Sequence, residues 1–211
     1  MREVVERAAS LFEKLGARVE EVSLPYTEYA NPCYYIIMPA EVSANLARYD
    51  GMRYAKSKEQ KTVSKTLFEE YLENRAKFGP EVKRRIMLGT FVLSHGYIEA
   101  YYKKAIAVRE LIKQDFATVF SKVDILLTPV SPVLPFHFGE RLRDPLAMYL
   151  ADIYTVSANL AGLPAVSMPG GYVKEGEAHL PVGVQLMAKP FGEGTLLKAA
   201  LGLERALTTK I

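Results

Sequence analysis

Cysteine, net charge and long apolar runs are all scarce in this 211-residue sequence. Its one cysteine, Cys33, excludes an intrachain disulfide and a cysteine-based metal cluster, which is usual in a reducing compartment. The formal net charge of +3 is small and the basic residues are dispersed, so charge does not indicate nucleic-acid binding. The apolar run 123–130 is far shorter than the ~20 residues of a membrane-spanning helix. We therefore expect a soluble, cytoplasmic protein that does not bind a membrane.

Apolar periodicity is abundant, and in the first half of the chain it predicts mainly helices. Residues 2–15 have helical spacing with Gly16 as a stop, and the stretch ARVEEVSLP, 17–25, predicts a short strand. A helix that precedes the first strand is compatible with a chain cut from a larger α/β protein, although α/β domains can also begin with a helix. Further helices are predicted from Pro39 to about Tyr49, over TLFEEYLENRAKFG with Thr66 and Glu69 as a capping box, from Gly79-Pro80 onward, and from about Tyr97 to Phe120.

The second half of the chain predicts strands interleaved with helices. The continuous apolar run VDILLTP, 123–129, is typical of a central strand buried on both faces. A helix is predicted from about Leu146 to Leu160. The stretches PAVSMP and PVGVQLMA predict two strands joined by the polar loop YVKEGEAH, and EGTLLKAALGLERAL predicts a closing amphipathic helix. The order of elements indicates the α/β class.

The local sequence around the usual nucleophiles and metal ligands does not predict a catalytic or metal site. Ser167 lies in a short strand without a nucleophile-elbow pattern, which favours a structural serine. The three histidines, His95, His137 and His179, have no second ligand at metal spacing, so we expect no metal site. Cys33 lies in the apolar stretch NPCYYII, which should raise its pKa and make it unreactive. We expect no cofactor site, since phosphate-loop patterns are absent as well.

Two charged residues on otherwise apolar helical faces are more informative. Arg85 falls within the stripe formed by Val82, Ile86, Gly89 and Leu93, and Asp152 borders another apolar stripe. A buried charge needs a partner, so the two could form a structural ion pair. Alternatively, the arginine could bind the carboxylate of an amino acid and the aspartate its ammonium group. The residues alone favour the ion pair and leave the second interpretation open.

Several stretches together resemble a known family over essentially the whole chain. The sequence is similar to the A-type subunits of the aspartyl/glutamyl-tRNA(Asn/Gln) amidotransferases, the glutamine-hydrolysing members of the amidase-signature family. KRRIMLGT and YKKA resemble these subunits specifically, whereas NLAGLPA and PVGVQL are shared more widely by amidases. The family's nucleophilic serine, its cis-peptide serine and its lysine belong to an earlier glycine- and serine-rich half. Because no run like Gly-Gly-Ser-Ser-Gly occurs here, we expect a C-terminal part that is inactive alone.

The resemblance implies a fold and a set of substrate-binding residues. The fold would be the C-terminal portion of the amidase-signature fold, a mixed β-sheet covered by helices. One incomplete domain would span 1–211, mainly helical over 27–122 and with the sheet core over 123–211. Within VKRRIMLGT, Arg85 matches the arginine for the glutamine α-carboxylate, and within YLADIYT, Asp152 matches the acid for the α-ammonium. Tyr34, or alternatively Tyr35, matches the pocket tyrosine, and no catalytic residue is implied in this chain.

The resemblance also implies a reaction and partners. The intact complex would release ammonia from glutamine to convert Glu-tRNA(Gln) or Asp-tRNA(Asn) to Gln-tRNA(Gln) or Asn-tRNA(Asn). Its B and C type subunits would be the partners, misacylated tRNA would be reached through the complex, and one of the partners would use ATP and Mg. Two alternatives remain open. One is a fragment of a general amidase, and the other is a noncatalytic interaction module.

Overall fold

The computed structural model describes residues 1–51, 66–140 and 144–208, and the chain divides into two units. The first unit comprises Met1–Tyr34 and Ala107–Ile211, and the second comprises Tyr35–Ile106. Residues 52–65, which belong to the predicted helical subregion 27–122, lie outside the described residues. No helix in the described ranges is long and apolar enough to cross a membrane.

The first unit contains a three-stranded antiparallel sheet. Its strands are β1 (Ile125–Pro129), β2 (Ala165–Glu175) and β3 (Ala178–Ala188), in the order β1-β3-β2. The register of β2 shifts between Pro169 and Gly171. Gly170 suits this irregularity, because a Cβ there would lie 2.7 Å from the Val184 side chain.

Two amphipathic helices, α1 (Arg2–Lys14) and α8 (Glu193–Thr208), cover one face of this sheet. Alternate residues of β3, namely Val182, Val184, Leu186 and Ala188, are buried in the resulting core. This alternation places Gly183 and the side chains of Gln185 and Met187 on the opposite face of the strand. The core therefore has one helix-covered apolar face and one face with a polar position at Gln185.

Three other helices contribute to this unit and its surroundings. α5 (Lys103–Phe120) buries Ile112, Phe116 and Val119. Two short helices, α6 (Pro145–Leu150) and α7 (Val156–Ala161), follow β1, and Gly162 ends α7 with a left-handed φ of 71°. The Arg109 side chain on α5 donates from Nε to the Leu160 carbonyl at 2.8 Å. This bond satisfies a carbonyl in the last turn of α7.

The second unit is helical. α2 (Ala30–Leu46) follows a 3-10 helix at Pro25–Tyr29 and continues into this unit. Its described residues also include α3 (Leu67–Ala76), α4 (Pro80–Val92), a π-helical turn (Ile98–Tyr102) and the start of α5. The Arg75 side chain donates to the Leu46 carbonyl at 2.6 Å, which connects α3 to the end of α2.

Most predicted helices are confirmed, and so is the α/β class. α1 ends before Gly16, whose φ of 89° suits a helix stop, and Thr66 and Glu69 form the predicted capping box. α4 begins at Pro80 as expected. The helix predicted from about Tyr97 to Phe120 is present, although its first turn is π-helical.

Two predictions in the first 50 residues are wrong. The segment 17–24 is not a strand, since it pairs with none of the described strands and its side chains are mostly exposed. Pro39 lies inside α2 and not in its first turn. The helix extends through it because Cys33, Ile37 and Ala40 are buried at helical spacing, which offsets the roughly 3 kcal/mol cost of an interior proline.

Four later predictions also need correction. β3, not β1, is central among the described strands, and only Leu126 of β1 is buried, so β1 is not the central strand buried on both faces that its apolar run predicts. The predicted loop 172–179 is mostly strand, since Gly176, with a φ of 59°, permits a two-residue turn. The helix predicted at 146–160 is interrupted at 151–155. Apolar residues on both sides of the helix that begins at Pro80 predict that it is covered over much of its circumference, but Met87 and Phe91 on its far side are exposed.

Candidate substrate-binding site

Arg85 lies in the middle of α4, where Glu81, one turn earlier, fixes part of its guanidinium. Arg85 Nε donates to Glu81 Oε1 at 2.8 Å, and Arg84 also pairs with Glu81. The Arg85 side chain is 27% exposed, whereas that of Arg84 is 47% exposed. The neighbouring arginines therefore share one carboxylate, and Arg85 is the less exposed of the two.

Residues of α2 line the other side of the Arg85 guanidinium. Its Cζ lies 5.9 Å from the centroid of the Tyr35 ring, within the range of a cation–π interaction. Arg85 Nη1 lies 3.2 Å from the Met38 sulfur. A thioether is a weak acceptor, so a carboxylate would bind this edge of the guanidinium more strongly. The second unit thus brings Arg85 together with Tyr35, the alternative pocket tyrosine.

The close contact of α2 and α4 depends on Gly89, one turn beyond Arg85. A Cβ at Gly89 would lie 1.9 Å from the Pro39 carbonyl oxygen and 2.7 Å from Ser43 Cβ. Beside this contact, the hydroxyls of Ser43 and Thr90 are 3.0 Å apart. The two helix backbones therefore approach as closely as they do because residue 89 has no side chain.

Asp152 lies in the first unit, in the turns that separate α6 from α7. Its amide donates to the Tyr149 carbonyl at 3.2 Å, and its carbonyl accepts from the amides of Thr155 and Val156 at 2.9 and 3.1 Å. The Thr155 hydroxyl also donates to this carbonyl at 3.0 Å. Asp152 is exposed while its backbone is well bonded. Its ion pair with Arg85 stays a prediction.

Tyr34, the third predicted substrate-binding residue, lies half-buried on α2 in the first unit. One turn before it, Asn31 Nδ2 donates to the Tyr149 carbonyl at 3.5 Å, a long hydrogen bond. The same carbonyl accepts the amide of Asp152. The start of α2 and the Asp152 turn therefore meet at one carbonyl group.

Sequence reasoning missed two buried polar residues beside Asp152. Ser157 and Gln185 are each 5% exposed, and both donate to the Tyr154 carbonyl. The Tyr154 carbonyl that accepts both bonds lies at 151–155, where the predicted helix is interrupted. A signal was present, because Gln185 is a polar residue within the apolar strand PVGVQLMA.

The structure gives no catalytic role to the remaining candidates, Ser167 and Cys33. Ser167 is an exposed residue of β2, opposite Gln185 in the register. Cys33 is buried, and burial raises the pKa of its thiol to about 11, as the apolar sequence predicted. Within the described parts of the chain, no group of His, Cys, Asp or Glu residues could hold a metal ion.

Comparisons with known proteins point to one family. The family described as Amidase matches residues 1–197. The A-type subunit of the glutamyl-tRNA(Gln) amidotransferase from Caldanaerobacter subterraneus subsp. tengcongensis is 55% identical over 210 residues, which cover 98% of this chain. The same subunit from Moorella thermoacetica is 53% identical over 204 residues, 96% of this chain. The chain spans only 41% and 40% of the lengths of these two relatives.

A solved structure shows the same fold. The crystal structure of the A-type subunit of glutamyl-tRNA(Gln) amidotransferase from Thermotoga maritima matches with a TM-score of 0.65 and 39% identity. The match covers 97% of this chain and 38% of that one. The architecture found here is therefore that of part of a longer amidase-type chain.

Proposed function

Because the chain belongs to the amidase family, we propose that it is part of the glutamine-hydrolysing A-type subunit of a tRNA-dependent amidotransferase. The 55% identity to such a subunit over 98% of this chain carries the proposal. In the complete cytoplasmic assembly, ammonia from glutamine would convert Glu-tRNA(Gln) or Asp-tRNA(Asn) to the correctly amidated tRNA. Subunits of the B and C types would be the partners, and one of them would use ATP and Mg.

In this proposal the chain binds the amino-acid end of glutamine. Arg85 binds the α-carboxylate, because a guanidinium presents paired donors that match a carboxylate. Asp152 binds the α-ammonium, and Tyr34, or alternatively Tyr35, lines the pocket. This division of charge would select a zwitterion over a simple aliphatic amide.

The surroundings of Arg85 support this role. Glu81 takes Nε, while Nη1 faces the weakly accepting Met38 sulfur. The centroid of the Tyr35 ring lies 5.9 Å from Arg85 Cζ, near the outer limit of a cation–π interaction. Such an arrangement suits an arginine that exchanges a weak acceptor for a carboxylate when substrate binds.

The surroundings of Asp152 support its role in a different way. Asp152 is an exposed residue and is not enclosed in the core. Its backbone amide and carbonyl are both bonded within the turn, which limits how far the residue can move. An exposed acid on a fixed backbone is what binding of an ammonium group requires.

Bond-making would belong to residues outside this sequence. A serine nucleophile would attack the side-chain amide of glutamine, form an acyl-enzyme and release ammonia, and water would then hydrolyse the ester. The sequence has no glycine- and serine-rich run that resembles the family's nucleophile region. Arg85 and Asp152 would contribute placement of the substrate, which lowers the entropic part of the barrier.

The test uses a hybrid protein in which this chain replaces the matching 210 residues of the Caldanaerobacter relative. We expect the hybrid to hydrolyse glutamine and the 211-residue chain alone to show no turnover. Arg85→Ala in the hybrid should raise the KM for glutamine strongly with little effect on kcat. Arg84→Ala is the matched control, since it removes the neighbouring arginine that pairs with the same Glu81.

Several results would contradict this proposal or part of it. A folded hybrid without glutaminase activity, or robust turnover by the chain alone, would contradict the assignment. A hybrid that hydrolyses aliphatic amides as well as glutamine would indicate a general amidase. Equal KM values for wild type and Arg85→Ala would return Arg85 to a structural role.

A further inference from the structure

Two polar side chains are buried among the residues that the structure describes, and both bind the same backbone oxygen. Gln185 Nε2 and Ser157 Oγ donate to the Tyr154 carbonyl at 3.1 and 3.2 Å. Gln185 Nε2 also lies 3.2 Å from Thr128 Oγ1 on β1. Because a buried amide without partners costs free energy, the two bonds made by Gln185 Nε2 offset the cost of burying its side chain.

The orientation of the Gln185 amide follows from its partners. The Tyr154 carbonyl can only accept, so the atom that faces it must be the NH₂ group. The Thr128 hydroxyl can accept the second proton of the same group. One amide nitrogen therefore joins β1 and β3 to the turn at 151–155.

Packing alone does not require a glutamine at this position. The neighbouring residues of β3, Val184 and Leu186, are fully buried, and so is Met187. A methionine at position 185 would have a similar volume and no cost of polar burial. The polar end of Gln185 is thus best explained by the carbonyl that it binds.

That carbonyl lies two residues beyond Asp152. The turn is bonded within itself through the Asp152 amide and carbonyl, and Gln185 and Ser157 attach it to the core. We propose that Gln185 is a positioning residue that, with Ser157, fixes the turn carrying Asp152. This inference rests on the proposed function only for the role of Asp152 in binding glutamine.

The structural part is tested on the 211-residue chain by hydrogen–deuterium exchange. Gln185→Met should speed exchange of the amides at 152–156 about threefold to tenfold, the size expected for one buried hydrogen bond, and leave α8 unchanged. Ser157→Ala should also speed exchange at 152–156 selectively, and it provides the test if Gln185→Met does not fold. Met187→Leu, on the same face of β3, is the control and should not affect these amides.

The functional part uses the hybrid protein. Gln185→Met should raise the KM for glutamine about threefold to tenfold, less than Asp152→Asn does, with kcat nearly unchanged. The KM for 4-carbamoylbutanoate, which is glutamine without its amino group, should not change, because that substrate offers no group to Asp152.

The outcomes distinguish the positioning role of Gln185 from the proposed binding of glutamine by Asp152. Unchanged exchange at 152–156 in both variants, or an equal increase throughout the first unit, would overturn the positioning role. Faster exchange with an unchanged KM for glutamine would support the positioning role and contradict the assignment of Asp152. An equal rise in KM for both substrates would show general damage and overturn the specific role of Gln185.

Discussion

Replacing Gly89 with alanine tests whether the approach of α2 and α4 is as close as the structure indicates. Alanine in a helix interior is usually favourable by about 1 kcal/mol relative to glycine. At position 89, however, the new Cβ would lie 1.9 Å from the Pro39 carbonyl oxygen and 2.5 Å from its carbon. These are backbone atoms, so the helices themselves must separate. Arg85 lies one turn away, and its contacts with Tyr35 and Met38 would be disturbed.

The destabilisation expected for Gly89→Ala is the cost of overpacking minus the gain in helix propensity. Overpacking costs about 1–3 kcal/mol, and contact with rigid backbone places this case at the upper end. After the gain in helix propensity, about 2 kcal/mol of destabilisation remains, which corresponds to a fall in Tm of about 4–8 °C for a chain of this size.

Gly202 of α8 provides the matched control. A Cβ there would meet only the Leu15 side chain, at an ordinary 3.6 Å. Gly202→Ala should therefore raise the Tm by about 2–4 °C. Thermal unfolding of both variants, followed by circular dichroism, gives the comparison. If Gly89→Ala were stabilised as much as Gly202→Ala, the close contact at Pro39 would be refuted.

Two further predictions concern Cys33 and Thr66. At pH 8, Cys33 should react with a thiol reagent at least about 100-fold more slowly in the folded chain than in urea, because its pKa is raised from 9.0 to about 11. Equal labelling rates in the two states would contradict this prediction. Because the raised pKa favours the neutral thiol in the folded state, its contribution to the free energy of unfolding should be complete below pH 9 and lost as the pH rises to about 11. Thr66→Ala should cost about 1 kcal/mol by removing the capping box of α3, measured by urea unfolding, whereas Thr118→Ala within α5 should be nearly neutral.

Local signals in the sequence were sufficient for most of the helices. The stop at Gly16, the capping box at Thr66 and the proline at Pro80 act within one turn of the chain, so they can be read without knowledge of the fold. The interior position of Pro39 could not be predicted from local signals, because burial of residues along α2 outweighs the preference of proline for the first turn of a helix. Strand order was equally hidden, since it depends on pairing between distant segments.

The candidate site was predictable in part. Arg85 could be singled out because it is a charge on an apolar helical face. Asp152 was singled out in the same way from the predicted helix, although it lies in the turns at 151–155, and the family resemblance gave both residues roles. Glu81 as a partner of Arg85 could have been found from its spacing of four residues. The link from Gln185 to the Asp152 turn could not have been found from the sequence, because it joins Gln185 to the backbone carbonyl of Tyr154, 31 positions away.

The most direct test of the assignment crosses variants with truncated substrates in the hybrid protein. Arg85→Ala should lower kcat/KM for glutamine by about 10- to 100-fold, the loss expected for hydrogen bonds between charged groups. It should leave 4-aminobutanamide, which lacks the α-carboxylate, unaffected. Asp152→Asn should likewise impair glutamine but not 4-carbamoylbutanoate, which lacks the ammonium group. Equal losses on full and truncated substrates, or no loss on glutamine, would contradict the claim that this chain binds the amino-acid end of glutamine.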